Sequence, residues 1–175
     1  MNDLRYPIGE CSLPDRITET HRARWIDDLA ETPAALRAAV LGLGPDHLDM
    51  PYRPDGWTVR QVVHHVPDSH LHAYARFKLA LTENEPTIKP YDEARWAELS
   101  DSLTLAPEVS LTLLEALHAQ WVALLHSLRA ADFQRTFQHP EFGRALTLDE
   151  ALGRYAWHGR HHVAHITSMR ERLRL

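Results

Sequence analysis

Apolar residues recur at helical spacing along four long stretches of the chain, and Pro, Gly and Asp crowd the segments between them. Near residues 15–42 the apolar positions are Ile17, Trp25, Ile26, Leu29, Leu36, Val40 and Leu41, the pattern of a helix with one buried face. Pro33 lacks an N–H and crowds the preceding turn, so it is expected to break or kink this run. Gly42, Gly44 and Pro45 end it. After an irregular loop over 49–56, Thr58 and Gln61 have capping-box spacing, each side chain positioned to satisfy the other's free backbone N–H. The helix they open is expected to reach about Thr82, before Pro86.

A short helix is expected at 92–99 and a longer one from Pro107 to about Arg129, with Pro107 at N1 and Glu108 in the first turn. Residues 133–146 instead fit a small β-hairpin turning at Pro140 and Gly143. Thr147 and Glu150 repeat the capping box and open a last helix over about 147–173. There is no internal repeat and no low-complexity tract. The expected fold is all-α: an antiparallel four-helix bundle with a short helix and a small hairpin in its connections, forming one domain over 1–175.

The chemistry is concentrated in histidine. Of 13 histidines, His64, His65, His70 and His72 fall in one window and His158, His161, His162 and His165 in another. On the last helix the apolar stripe runs Leu148, Leu152, Tyr155, then Ile166, Met169 and Leu173. His158 and His162 fill the gap at steps of three and four residues. Two imidazoles an i, i+4 step apart on a core stripe leave ring nitrogens to satisfy, and one metal ion satisfies both. His161 and His165 lie on a neighbouring stripe with Arg154, Trp157 and Arg172, expected to be partly solvated. On the second long helix the apolar face is Val59, Val62, Val63, Val66, Ala73 and Phe77. His64 and His65 sit on its opposite flanks, and periodicity does not choose between them. Pro67 releases the Val63 carbonyl within that helix. Trp25, Trp57, Trp96 and Trp121 read as core residues, and His118 and His126 as ordinary ones with nothing at ligand spacing.

Composition narrows the partners. The chain has 175 residues, a formal charge of −5 and 44% hydrophobic residues, which argues against a phosphate-backbone binder. Arg170, Arg172 and Arg174 read as cations at a helix C-terminus rather than as a nucleic-acid patch. The single Cys11 excludes an intramolecular disulfide and a cysteine-rich zinc site, and fits a reduced, cytoplasmic setting. The opening residues, Met1 to Tyr6, lack the apolar stretch of a secretory leader, and no apolar run is long enough for a membrane span.

Four motifs in order carry a resemblance. Gly56-Trp57 through His64-His65 to Asp68-Ser69-His70, then Arg76-Phe77-Lys78, then Lys89-Pro90-Tyr91-Asp92-Glu93, and finally Tyr155 to Ile166 with His158, His161 and His162 resemble the YfiT-like group of the DinB superfamily, from the mid-forties to the C-terminus. The resemblance implies an up-down-down-up four-helix bundle. It also implies one divalent ion, Zn²⁺ or Ni²⁺, held by His65, His158 and His162. Pro67 departs from the family pattern beside His65.

Three neutral imidazoles leave such an ion its full charge and an open position, which lowers the pKa of a bound water to about 7 or deprotonates a bound thiol. No Glu stands between His158 and His162 as a zincin requires, so a protein base would come from Asp68, Asp92 or Glu93. The resemblance implies either a metal-dependent hydrolase or, the favoured reading, an S-transferase joining a low-molecular-weight thiol such as bacillithiol to a small electrophile. A non-catalytic, stress-related binding protein is the third reading; three ligands argue against it, because structural zinc usually has four. Trp157 is expected to shape the substrate mouth and Arg160 to meet an anionic cosubstrate. A homodimer fits bundles of this type.

Overall fold

In the computed structural model, which describes residues 3–175, four long helices form the bundle. They are α1 (Glu19–Val40), α3 (Val59–Thr82), α6 (Pro107–Ser127) and α7 (Leu148–Leu173). Single-turn helices α2 (Pro45–Leu48), α4 (Glu93–Trp96) and α5 (Ser100–Thr104) lie in the connections. Strands β1 (Thr136–His139) and β2 (Arg144–Thr147) pair antiparallel, with Phe137 opposite Leu146. No helix among the described residues is long and apolar enough to cross a membrane.

Both expected capping boxes are present: Thr58 Oγ1 accepts from Gln61 N and Thr147 Oγ1 from Glu150 N, with the reciprocal side-chain contacts made. A third one, Thr18 with His21, starts α1; histidine in the acceptor role does not match the usual Ser/Thr-x-x-Glu/Gln pattern. Pro33 does not break α1, which continues through it to Val40. The cost is local: a proline at position 33 supplies no N–H to the Leu29 carbonyl one turn back, and that carbonyl is bonded elsewhere, as described below.

Helix packing sets the topology. α1 packs against α7 and α6, and α3 packs against the same two. The chain-consecutive helices α1 and α3 therefore lie across one diagonal, and α6 and α7 across the other. Diagonal partners need long crossovers, which are residues 41–58 and 128–147, while 83–106 joins the neighbouring helices α3 and α6. Gly159 lets α1 and α7 approach closely, since a Cβ there would stand 2.6 Å from Thr32 Oγ1. One apolar cluster gathers Leu29, Phe77, Trp121, Phe137 and Leu152, and a second gathers Leu36, Val62, Val63, Leu114 and Ile166. Trp25 and Trp121 are core residues, whereas Trp57 is half-buried and Trp96 exposed. Trp96 instead packs at the surface against Tyr91 and His72.

Candidate metal centre

The polar layer of the bundle lies between those two apolar clusters, where α3 meets α7. His65 of α3 and His158 and His162 of α7 point at one another, with Nε2–Nε2 separations of 3.3 Å (His65–His158) and 3.2 Å (His162–His158). One ligand atom from each lies within 4.8 Å of the others. Four bonds of about 2.05 Å in tetrahedral array put donor nitrogens about 3.3 Å apart, so the two separations from His158 Nε2 match those round a divalent ion. Burial keeps the rings neutral. It pushes His65 down to about 4, and it is the largest cause holding His158 and His162 well below the ordinary value, with neighbouring imidazoles adding to it. Where two neutral rings turn unprotonated nitrogens on each other their lone pairs repel, unless a proton or a cation lies between them.

The lone pair of His158 is aimed by a chain of hydrogen bonds whose direction follows from its far end. The Leu29 carbonyl can only accept, so His118 Nδ1 donates to it (2.6 Å). His118 Nε2 is then the acceptor for His70 Nδ1 (2.8 Å). His70 Nε2 in turn accepts from His158 Nδ1 (3.0 Å). That leaves His158 Nε2 unprotonated and facing His65 and His162, the tautomer a metal ligand needs. All three rings are held neutral, His118 at about 4 and His70 and His158 well below the ordinary value, burial being the main cause. The chain originates at the carbonyl that Pro33 leaves free within α1.

His64, which periodicity could not separate from His65, faces α6. Its Nε2 donates to the Leu105 carbonyl (3.2 Å), and its Nδ1 accepts from the Ser110 hydroxyl (2.6 Å). His161 and His165, expected to be partly solvated, are buried. The N-terminal segment covers them: Tyr6 packs on His161, and His165 Nε2 donates to the Arg5 carbonyl. That segment has no helical periodicity, and so its docking left no mark in the pattern.

The three nitrogens open onto a cleft of about 310 Å³ walled by Trp57, Ser69, Arg76, Tyr91, His139 and Trp157, with Glu93 and Glu141 at its edge. A more apolar cavity of about 210 Å³ continues from it, sharing Ser69, Arg76, His139, Trp157 and His158. Trp157 thus lies at the mouth, stacked on His161 and donating Nε1–H to the Gly9 carbonyl.

The other expected site residues are placed elsewhere. Arg160 lies against α1, with its Nε 3.5 Å from Asp28, in a shallow depression on a different face. Asp92 caps α4 by accepting from Arg95 N. Asp68 is half-buried and lines neither cavity; burial, with Asp101 adding to it, pushes its carboxyl up to about 6. Of the three candidate bases only Glu93 reaches the cleft. Sequence reasoning passed over the roles of His70, His118, Ser69, Arg76 and His139. The resemblance motifs did include Ser69, His70 and Arg76.

Comparison with known proteins agrees with this architecture. The family model of the DinB superfamily matches residues 28–166. Proteins of Bacillus mycoides and Bacillus cereus named "putative metal-dependent hydrolase" are 57% identical over 173 residues, covering 99% of both chains. The solved structure of YfiT from Bacillus subtilis superimposes with a TM-score of 0.94 at 50% identity, covering 97% of each chain. That protein is described as "a probable metal-dependent hydrolase with an unusual four-helix bundle topology".

Proposed function

This chain belongs to the DinB superfamily, and on that footing we propose that it is a metal-dependent hydrolase acting on a small electrophilic substrate, with His65, His158 and His162 as the ligands. The observation that carries the reading is the convergence of three neutral imidazoles, with His158 Nε2 3.2–3.3 Å from the other two Nε2 atoms and all three ligand atoms within 4.8 Å, on a cleft large enough for a small molecule. A divalent ion such as Zn²⁺ or Ni²⁺ held by three protein ligands supplies Lewis acidity and makes water or a thiol nucleophilic near neutral pH. The protein's part is to keep the imidazoles neutral by burial and to hold His158 in its Nδ1–H tautomer through His70. Trp57 and Trp157 narrow the mouth. Glu93, at the edge, is placed to accept a proton from a group bound in the cleft.

Thiol transfer to an electrophile is the second reading. It is favoured by the placement of Asp68 and Asp92 outside the cleft, because a metal-activated thiolate needs no protein base. The test is metal content of purified protein, followed by hydrolysis of an ester and amide panel with and without bacillithiol, glutathione or cysteine. Hydrolysis that requires the ion and ignores thiol supports the first reading, and product formation only with thiol supports the second. Protein that takes up neither Zn²⁺ nor Ni²⁺ overturns both.

A further inference from the structure

Beyond the three histidines, the cleft contains a charge that the protein does not neutralise. Arg76 of α3 is 8% exposed, and no carboxylate among the described residues lies within ion-pair distance of it. A buried, unpaired cation is expensive, and proteins that keep one generally supply its partner. Its one hydrogen bond runs from Nη1 to the Tyr155 hydroxyl (3.0 Å). Nε is buried without a partner and Nη2 makes no hydrogen bond among the described residues. Nε and Nη2 form the edge of a guanidinium that grips a carboxylate through two parallel N–H···O bonds.

Two further unpartnered atoms belong to residues that line the same cavity. Arg154 Nε and His139 Nδ1 are both buried without a hydrogen bond. The Arg154 guanidinium lies 4.8 Å from the centre of the Phe142 ring and has no ion-pair partner. His139 is held below its ordinary value by burial and then by Arg76, so it adds a neutral hydrogen-bonding ring rather than a counter-charge. Phe137, Phe142, Leu146 and Ala151 make the rest of the wall apolar. Buried orphan polar atoms grouped round one cavity call for a ligand, and here two of the three belong to cations in a chain whose net charge is −5.

We propose that this cavity binds the carboxylate end of the substrate, with the Nε–Nη2 edge of Arg76 as its clamp and Arg154 as the second cation. The substrate class is then a small acid with an apolar body, its reacting group directed at the three histidines. Arg76 lies three turns beyond His65, about 16 Å along the helix axis, with its side chain leaning back towards the N-terminus. The carboxylate and the reacting bond therefore sit at opposite ends of an elongated molecule. His158, which lines both cavities, marks the junction.

The assignment rests on the metal-dependent reading only in naming the ligand a substrate; the carboxylate clamp itself stands without an ion. The test is calorimetric titration of the full-length chain with 4-phenylbutyrate and with its neutral amide, first in chelator and then after zinc loading. In chelator the acid is expected to bind at least tenfold tighter than the amide, which removes metal coordination as the cause. Arg76→Met is expected to abolish that preference, and Arg154→Met to reduce it several-fold. Should Arg76→Met fail to fold by circular dichroism, Arg76→Lys keeps the charge, loses the fork and is expected to lose most of the preference. Equal binding of acid and amide, no binding of the acid at millimolar concentration, or a preference that survives both Arg76 substitutions overturns the assignment. Failure to take up either zinc or nickel overturns the proposed function and leaves the acid-against-amide result standing.

Discussion

His64 and His65 are adjacent on α3, similarly withdrawn from solvent at 5% and 8% exposure, and differ in what their ring nitrogens meet. His64 has both nitrogens engaged by protein, one with the Leu105 carbonyl and one with Ser110. It is a structural tie between α3 and the segment leading into α6. His65 directs Nε2 at two other imidazoles and packs at a tilt against Trp57. Burial lowers the proton affinity of both, so burial alone does not mark a ligand. The mark is a ring nitrogen that meets other imidazole nitrogens rather than a carbonyl or a hydroxyl.

The strongest test of that contrast removes the partners. His158→Ala/His162→Ala should abolish zinc uptake, a loss of about a thousandfold or more in affinity, with helical circular dichroism retained; metal analysis against the expected one ion per chain reads it. His65→Ala should weaken zinc binding about a hundredfold by chelator competition. His64→Ala should change it less than about threefold, yet cost about 1–3 kcal/mol in denaturant unfolding, because the Ser110 hydroxyl and Leu105 carbonyl lose their partner. Equal effects of the two on metal affinity would erase the distinction.

His70→Leu or His118→Leu leaves all three ligands in place and breaks the chain that aims His158, so zinc affinity should fall about tenfold to a hundredfold. In the metal-free protein, ¹⁵N spectra should show the proton of His158 moving off Nδ1, a change that loosened packing alone would not produce.

A smaller effect appears with pH. Burial holds His118 at about 4 against 6.5 in its ordinary state, so between those values the unfolded chain binds a proton that the folded chain refuses. Stability of the metal-free protein should therefore fall as pH drops from about 6.5 towards 4. His118→Leu should flatten that slope in denaturant melts. The smallest effect is expected for Pro33→Ala, which restores an N–H to share the Leu29 carbonyl with His118. A carbonyl has two lone pairs, so zinc affinity should shift less than about threefold by chelator competition, in the direction of weaker binding.

What the chain's pattern made legible follows the range of each interaction. The capping boxes at Thr58 and Thr147 are local, and both start helices as expected. His158 and His162 were visible because one helical turn separates them on an otherwise apolar stripe. His65 was not separable from His64 by periodicity, because α3 is buried on nearly every side where it crosses the centre of the bundle. The chain through His70 and His118 depends on a carbonyl freed by a proline in another helix, 89 residues from its partner. No local pattern encodes that. Arg160 follows the same rule in reverse: it is next to the histidine window in sequence, but its stripe of α7 faces Asp28 of α1.

The crossed connectivity of the bundle has a consequence for how the protein is made. His65 and His158 are 93 residues apart in the chain, and α7 is made after α1, α3 and α6. α1, α3 and α6 can associate during synthesis, but the three-nitrogen cage cannot exist until the final helix docks. An ion that binds only the finished cage stabilises the finished protein by mass action. Metal supply would then act on the lifetime of newly made chains as well as on their chemistry, fastening α7 against release.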